Sequence, residues 1–252
     1  PESKPYVDPP PMEPVYDFSR DGIMRSLEES LQRLNLDRVD VALIHDPDEG
    51  QSVSGDYSGP DHYAQAMSET FPTLADLRSQ GVVRAIGVGM NQWQMLARLV
   101  RECDFDCILL AGRYTLIDQA ALPELLPLCE ERGISVVLGG PYNRGVLATD
   151  LSHETYSYTP PEAGDVPLPP DMLARARGIQ AVCHRHDVPL KAAALQFGLA
   201  HPAVASVILG LGAPAQVEET VKLHQLRIPS EFWLALRDAG LIAEAAPVPA
   251  DR

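Results

Sequence analysis

An imidazole at the end of an apolar run is the first group in this chain placed to do chemistry. His45 closes VDVALIH (39–45) and precedes Asp46-Pro47. At the C-terminal end of a barrel strand, a polar residue points into the active-site mouth. There a neutral imidazole can donate a hydrogen bond to a substrate oxygen; the plainer alternative is a histidine bonded to a backbone carbonyl. Gly89-Met90-Asn91 ends the next apolar run, and Asn91 carries both a donor and an acceptor. It is equally an ordinary turn or helix-cap residue. Arg113 and Tyr114 follow CILLAG. The guanidinium suits a sugar hydroxyl or a carboxylate, or else a surface salt bridge. The phenol suits substrate contact or packing beneath the loop. Gly139-Gly140-Pro141-Tyr142-Asn143-Arg144-Gly145 is a glycine-rich turn whose amides can approach a phosphate, or which serves structure alone.

The remaining reactive side chains read as structural. The cysteines Cys103, Cys107, Cys129 and Cys183 have neither CxxC spacing nor a nearby His at a metal-ligand interval. Cys107 and Cys129 read as small buried hydrophobes, and free thiols suit a reducing cytoplasm. His62, His153, His184, His186 and His201 show no metal spacing, and His184-x-His186 reads as a solvated helix end. Trp93 and Trp233 read as core or rim residues. No metal site is expected. A net charge of −15 opposes binding to nucleic acid or to an anionic membrane surface. No apolar run approaches the ~20 residues of a membrane span, and no signal peptide opens the chain.

The elements that must position these groups alternate. Ser19 caps a helix with its apolar face at Ile23, Leu27, Leu31 and Leu34. Strands are expected at 39–45, 82–89, 107–112, 135–140 and 205–210, the first reading as buried on both faces. Helical patterns fall at 63–80 (divided by Pro72), after Asn91, at 121–132, 171–186, 190–200, 214–224 and about 230–242. Residues 46–62 and 150–170 read as long loops, and the proline-rich start as extended chain. Such alternation implies βαβ units and a parallel sheet, which periodicity alone leaves open or closed. With 252 residues and no second domain in view, 1–252 is expected to form one domain.

The blocks LDRVDVALIHDPDE, RSQGVVRAIGVGMNQWQ, AGRYTLIDQ, GPYNRGVL and SVILGLGAPAQVEETV, in this order, resemble the aldo-keto reductase family, and within it the bacterial aldose and pyridoxal dehydrogenase branch. The resemblance covers nearly the whole chain. It implies an α/β fold of the (β/α)8 TIM-barrel type, with the five strands here matching barrel strands four to eight and strands one to three without a counterpart. It implies hydride transfer between a nicotinamide and a carbonyl or alcohol of a sugar or small aldehyde. In the family a Tyr acts as general acid/base, its pKa lowered by a Lys paired to an Asp. Those three lie on or after the second and third strands, before this chain begins; only the orienting His has a match, His45.

The same resemblance assigns the other sites. Asn91 matches a residue that holds the nicotinamide carboxamide. Gly139 stands where relatives stack a Tyr on the nicotinamide, while Gly140, Pro141, Tyr142 and Arg144 remain available to the cofactor. Gly210, Leu211, Gly212, Gln216, Glu219 and Thr220 match the adenosine-binding segment, with Thr220 in place of the family's Asn. Relatives preferring NADP carry a cation in this segment; here none stands in it, and Glu218 and Glu219 would repel a phosphate. NAD is therefore expected over NADP. Arg113 and Tyr114 are the expected substrate contacts. A small-molecule substrate and a homo-oligomer completing the barrel are the expected partners. The rival expectation is a non-redox protein on a truncated barrel, a binding module or a different chemistry centred on His45, since the Asp, Tyr and Lys are absent. A dinucleotide titration separates the two.

Overall fold

The structure, a computed structural model, describes residues 15–47, 49–51, 58–152 and 168–250. The proline-rich expectation for 1–14, most of the second long loop (153–167) and His153 lie outside the described residues.

All five expected strands form: β1 (Val41–His45), β4 (Ala85–Met90), β5 (Cys107–Ala111), β6 (Ser135–Gly139) and β7 (Val204–Ile208). They make one sheet in that order, and β1/β4 and β4/β5 pair in parallel. Two further strands, β2 (Glu49–Gln51) and β3 (Ser58–Asp61), pair antiparallel inside the stretch expected to be loop. Their sequences, EGQ and SGPD, carry no apolar alternation, so no period-2 signal announced them.

One compact unit holds the described residues of 15–110 with 124–136. Helix α1 (Arg20–Leu34) starts where Ser19 Oγ accepts a hydrogen bond from the Gly22 N–H at 3.1 Å, and it ends at Asn35 in the left-handed conformation. The segment 63–79 divides as Pro72 requires: α2 (Tyr63–Gln65), a π-helical turn (Ala66–Thr70) and α3 (Phe71–Ser79). Helix α4 (Trp93–Glu102) buries Met95, Leu96, Leu99 and Val100, and α5 (Leu125–Arg132) buries Leu125, Leu126 and Cys129. Helix α5 begins later than 121 because Pro123 disfavours the helical conformation at Leu122. The expectation that β1 is buried on both faces is corrected. Ile44 is buried, whereas Val41 is 48% and Leu43 39% exposed. Val41, Leu43 and His45 alternate along one face of β1, and that face is open to solvent.

The other unit holds the described residues of 111–123 and 137–250. It contains α6 (Pro170–Arg185), α7 (Leu190–Gly198), α8 (Pro214–Gln225) and α9 (Ser230–Asp238). Its core gathers Tyr114, Leu116, Leu138, Phe197, Phe232 and Trp233, all nearly inaccessible to solvent. Gly240, at φ 66°, stops α9 short of the expected end. Trp233 lies in the core as expected. His184 is exposed, while His186 sets its ring edge against Phe232.

Candidate functional site

The first unit places His45 and Asn91 at the C-terminal ends of neighbouring strands. His45 pairs in register with Gly89, two residues before Asn91. The turn after β1 is fixed by the Asp46 N–H, which donates to the Gly89 carbonyl at 3.1 Å with Asp46 in the left-handed region. His45 Nε2 lies 3.5 Å from Asp46 Oδ2, and the imidazole side chain is 84% exposed. Burial pushes the Asp46 carboxyl up, and the His45 charge opposes that shift. An exposed imidazole beside a carboxylate can donate to a ligand oxygen; Asn91 is likewise exposed.

In the second unit, the ends of β5 and β6 are tied by the Gly112 N–H donating to the Gly139 carbonyl at 2.9 Å. The Asn143 side-chain amide donates to the Gly112 carbonyl at 3.4 Å. Arg113 Nη1 lies 3.4 Å from Asp118 Oδ2, both side chains being largely buried. Asp118 in turn accepts from the Ala120 N–H, so Arg113 is engaged within its own loop. Tyr114 is packed between Phe197 and the His201 ring, and its hydroxyl has no partner among the described residues. Burial pushes its phenol up.

The turn after β6 runs through an unusual backbone. Gly140, Asn143, Arg144 and Gly145 all have positive φ, 61°, 44°, 53° and 90°. For Asn143 and Arg144 this conformation costs about 1–2 kcal/mol each, and such strain collects where a loop must present groups to a ligand. Among the described residues, the Arg144 and Gly145 N–H groups have no intramolecular acceptor.

This turn forms one wall of a cavity of about 340 Å³ that lies wholly inside the second unit. Gly140, Pro141, Tyr142 and Arg144 line it from the β6 side. Gly210, Leu211, Gln216, Glu219 and Thr220 line it from the end of β7 and the first turns of α8. Of the eleven positions singled out from the sequence for the cofactor, nine line this cavity, with Gly212 and Asn91 outside the lining. Gln216 acts partly as a brace: its Oε1 accepts from the Gly212 and Ala213 N–H groups at 2.6 and 3.2 Å. Thr220 Oγ1 donates to the Gln216 carbonyl at 2.7 Å. Burial, and then the Glu219 charge, push the Tyr142 phenol up.

Ala148, Lys191, Leu209 and Leu223 also line the cavity and were not singled out from the sequence. Lys191, in the first turn of α7, sets Nζ 3.0 and 3.1 Å from the two Glu219 carboxylate oxygens. The 210–220 segment itself holds no cation, as read from the sequence. The cation comes from a neighbouring helix, and Arg144 adds a second to the lining. A faint signal existed: Lys191 is the one charge in the apolar helix LKAAALQFG, at the helix end where a cation is disfavoured.

A larger cavity of about 480 Å³ is lined by Gln196, Leu199, His224, Leu226, Arg227 and the segment 248–250. It sits where α7 and α8 end. The C-terminus of α7 leads into the start of β7, so this is the face opposite the strand C-termini, where barrels keep structural contacts. Among the described residues no cluster of His, Cys, Asp and Glu could hold a metal, and no helix is long and apolar enough to cross a membrane.

A parallel sheet with helices after its strands and a cavity at the strand C-termini define an α/β protein of TIM-barrel type. The Aldo/keto reductase family model matches residues 8–240, and the chain belongs to that family. It is 37% identical over 230 residues to a pyridoxal 4-dehydrogenase from Microbacterium luteolum, covering 91% of this chain and 65% of that protein. It is 39% identical over 227 residues to a D-threo-aldose 1-dehydrogenase from a Pseudomonas species, covering 90% and 64%. The chain thus spans just under two thirds of those relatives' lengths. Among solved structures, an aldo-keto reductase from Bacillus halodurans superposes with a TM-score of 0.68 at 23% identity, covering 92% of this chain and 70% of that one. A glycerol dehydrogenase from Gluconobacter oxydans gives 0.65 at 21%, covering 94% and 68%. Both show the fold.

Proposed function

We propose that this chain binds a nicotinamide dinucleotide in the cavity between the β6 and β7 ends, as part of an oxidoreductase acting on a sugar or small aldehyde or alcohol. The observation that carries this reading is the donor set of that cavity. Arg144 and Lys191 supply cations, and the Arg144 and Gly145 N–H groups, without an acceptor among the described residues, supply donors for phosphate oxygens. Glu219 and Thr220 supply partners for a ribose, while Leu209, Leu211 and Leu223 supply an apolar bed. A site of this size, mostly apolar with a few convergent polar groups, has the anatomy of a cofactor pocket. The nicotinamide, when bound, supplies the hydride acceptor or donor.

The substrate class rests on the names of the two dehydrogenases above. His45 is the proposed hydrogen-bond donor to the substrate oxygen, and Asn91 the proposed contact of the nicotinamide carboxamide. Tyr142 is a cavity phenol, but burial and Glu219 push it up, the wrong direction for proton transfer near neutrality. Tyr114 is pushed up as well and packed away from the cavity lining. These two observations favour a second reading in which the chain binds the dinucleotide without turning it over. Localisation in the cytoplasm agrees with four unpaired, buried cysteines. The exposed apolar residues Val41 and Leu43 on β1, and Ile208, Val217 and Val221 on β7 and α8, support a second copy of the chain covering those edges.

Calorimetric titration with NAD and NADP, followed by reduced-nicotinamide absorbance with aldoses and pyridoxal, tests this. Binding that Arg144→Ala weakens supports the cavity. Binding with turnover supports the first reading, and binding without turnover the second. Absence of any dinucleotide binding overturns both.

A further inference from the structure

We infer that Lys191 is a positioning residue of this cavity: it acts on a bound dinucleotide through Glu219, whose carboxylate it holds at the cavity wall. The inference rests on the proposed dinucleotide site and adds to it a residue from outside both wall segments.

Helix α8 carries Glu219 but does not fix it by packing, since none of the α8 residues is buried. The Glu219 side chain is 48% exposed. Among the described residues its carboxylate has a single hydrogen-bond donor, the Lys191 ammonium, at 3.0 and 3.1 Å from the two oxygens. The base of that donor is held firmly, because α7 buries Ala192, Ala193, Ala194, Leu195 and Phe197 in the residues that follow. The same helix also ties the far end of α8: the Gln196 side-chain amide donates to the Leu223 and Leu226 carbonyls at 2.7 and 2.8 Å. Two polar ties from a packed helix thus hold the exposed one, and the first of them fixes a cavity side chain.

Lys191 is placed to brace and not to bind. Its ammonium is engaged by both Glu219 oxygens. The partial positive charge of the α7 N-terminus opposes an ammonium left there without such a partner, so the pair is favoured over a freed lysine. Both side chains line the cavity, so the braced carboxylate is available to a ligand. A carboxylate only accepts, and the ligand group it meets is therefore an N–H or O–H donor. An unbraced glutamate would lose its rotamer freedom on meeting that donor, which weakens binding. One already held by Lys191 has lost that freedom before the ligand arrives.

The experiment is a double-mutant cycle read as dissociation constants for NAD, with NADP in parallel, on wild type, Lys191→Ala, Lys191→Arg, Glu219→Gln and the Lys191→Ala/Glu219→Gln double variant, with thermal melts to verify folding. Lys191→Ala extends the alanine run of α7 and removes a charge that opposes its dipole, so the fold is expected to hold. It should weaken the dinucleotide by about two- to tenfold, the cost of immobilising one rotamer-rich side chain. Lys191→Arg, whose guanidinium can meet both carboxylate oxygens, should keep wild-type affinity. Once Glu219→Gln has removed the carboxylate, Lys191→Ala should cost less than about twofold more, because the group it acts through is gone. A Lys191→Ala loss of equal size in both backgrounds overturns the inference, since the ammonium would then meet the ligand itself. Unchanged affinity in Lys191→Ala also overturns it, and leaves the cavity assignment standing on Arg144→Ala. Binding of neither dinucleotide by folded wild type overturns the cavity assignment itself, and this inference with it.

Discussion

Two glycines on the same strand should respond oppositely to the same methyl group. A Cβ at Gly87 would lie 2.1 Å from the Cys107 carbonyl oxygen, 2.9 Å from its carbon and 2.9 Å from Leu43 Cδ2. Cys107 pairs with Gly87 in the β4/β5 ladder, so the obstacle is backbone and cannot rotate away. Overpacking of this kind costs about 1–3 kcal/mol, and displacing the ladder forfeits one or two hydrogen bonds at about 1 kcal/mol each. Restricting the unfolded chain returns about 0.4–1 kcal/mol. Gly87→Ala should therefore lose about 2–4 kcal/mol net. At Gly89 the nearest atom to a new Cβ is Leu109 Cβ at 3.4 Å, an ordinary contact, and Gly89 does not occupy the left-handed region. Gly89→Ala keeps the carbonyl that holds the Asp46 turn and should be neutral or stabilising by up to about 1 kcal/mol. Urea titration followed by circular dichroism measures both, with the m-value testing whether the denatured state is shared. Equal stabilities for the two variants would refute the steric account of the β4/β5 register.

Three other perturbations follow from burial and strain. All four thiols are buried, and desolvation pushes Cys103 up to about 11 and Cys129 and Cys183 up to about 12. Ellman's reagent should therefore label four cysteines in denaturant and essentially none in the folded chain at neutral pH. Burial raises the Asp46 carboxyl, so the folded state favours its neutral form. That contribution is complete below the ordinary carboxylate range and lost as pH rises through the folded value. Asp46→Asn, which tolerates the left-handed backbone, should raise the urea midpoint at neutral pH and lose that advantage near pH ~3.5. Arg144→Gly should separate stability from binding: relief of a left-handed non-glycine residue gains about 1 kcal/mol in melts, while loss of the guanidinium weakens dinucleotide affinity about tenfold.

The strands were legible because each is a short apolar run bounded by polar or glycine residues, as in CILLAG before Arg113 or SVVLGG before Pro141. The hairpin β2/β3 was not, since nothing in EGQ or SGPD alternates. Nor was the exposure of Val41 and Leu43, because an apolar run states what a strand tolerates and not which neighbours it has. The cavity walls were legible as segments: a glycine-rich turn at 139–145 and a loop-to-helix start at 210–220 are local patterns. Their facing one another is a consequence of β6 and β7 being neighbours, which the alternation of elements implies.

The cation beside Glu219 was not legible, because Lys191 lies outside the segment that carries the adenosine-side pattern. Along 210–220 the charged residues are Glu218 and Glu219, and no cation stands among them. In the folded chain α7 and α8 flank β7 on the sheet, so the residue that neutralises Glu219 arrives from the start of the preceding helix. A cation in the first turn of an apolar helix runs against the helix dipole at a cost of about 0.3–1 kcal/mol, which a nearby anion offsets. Read in that direction, Lys191 is the anomaly that asks for a partner, and Glu219 is the answer the fold supplies.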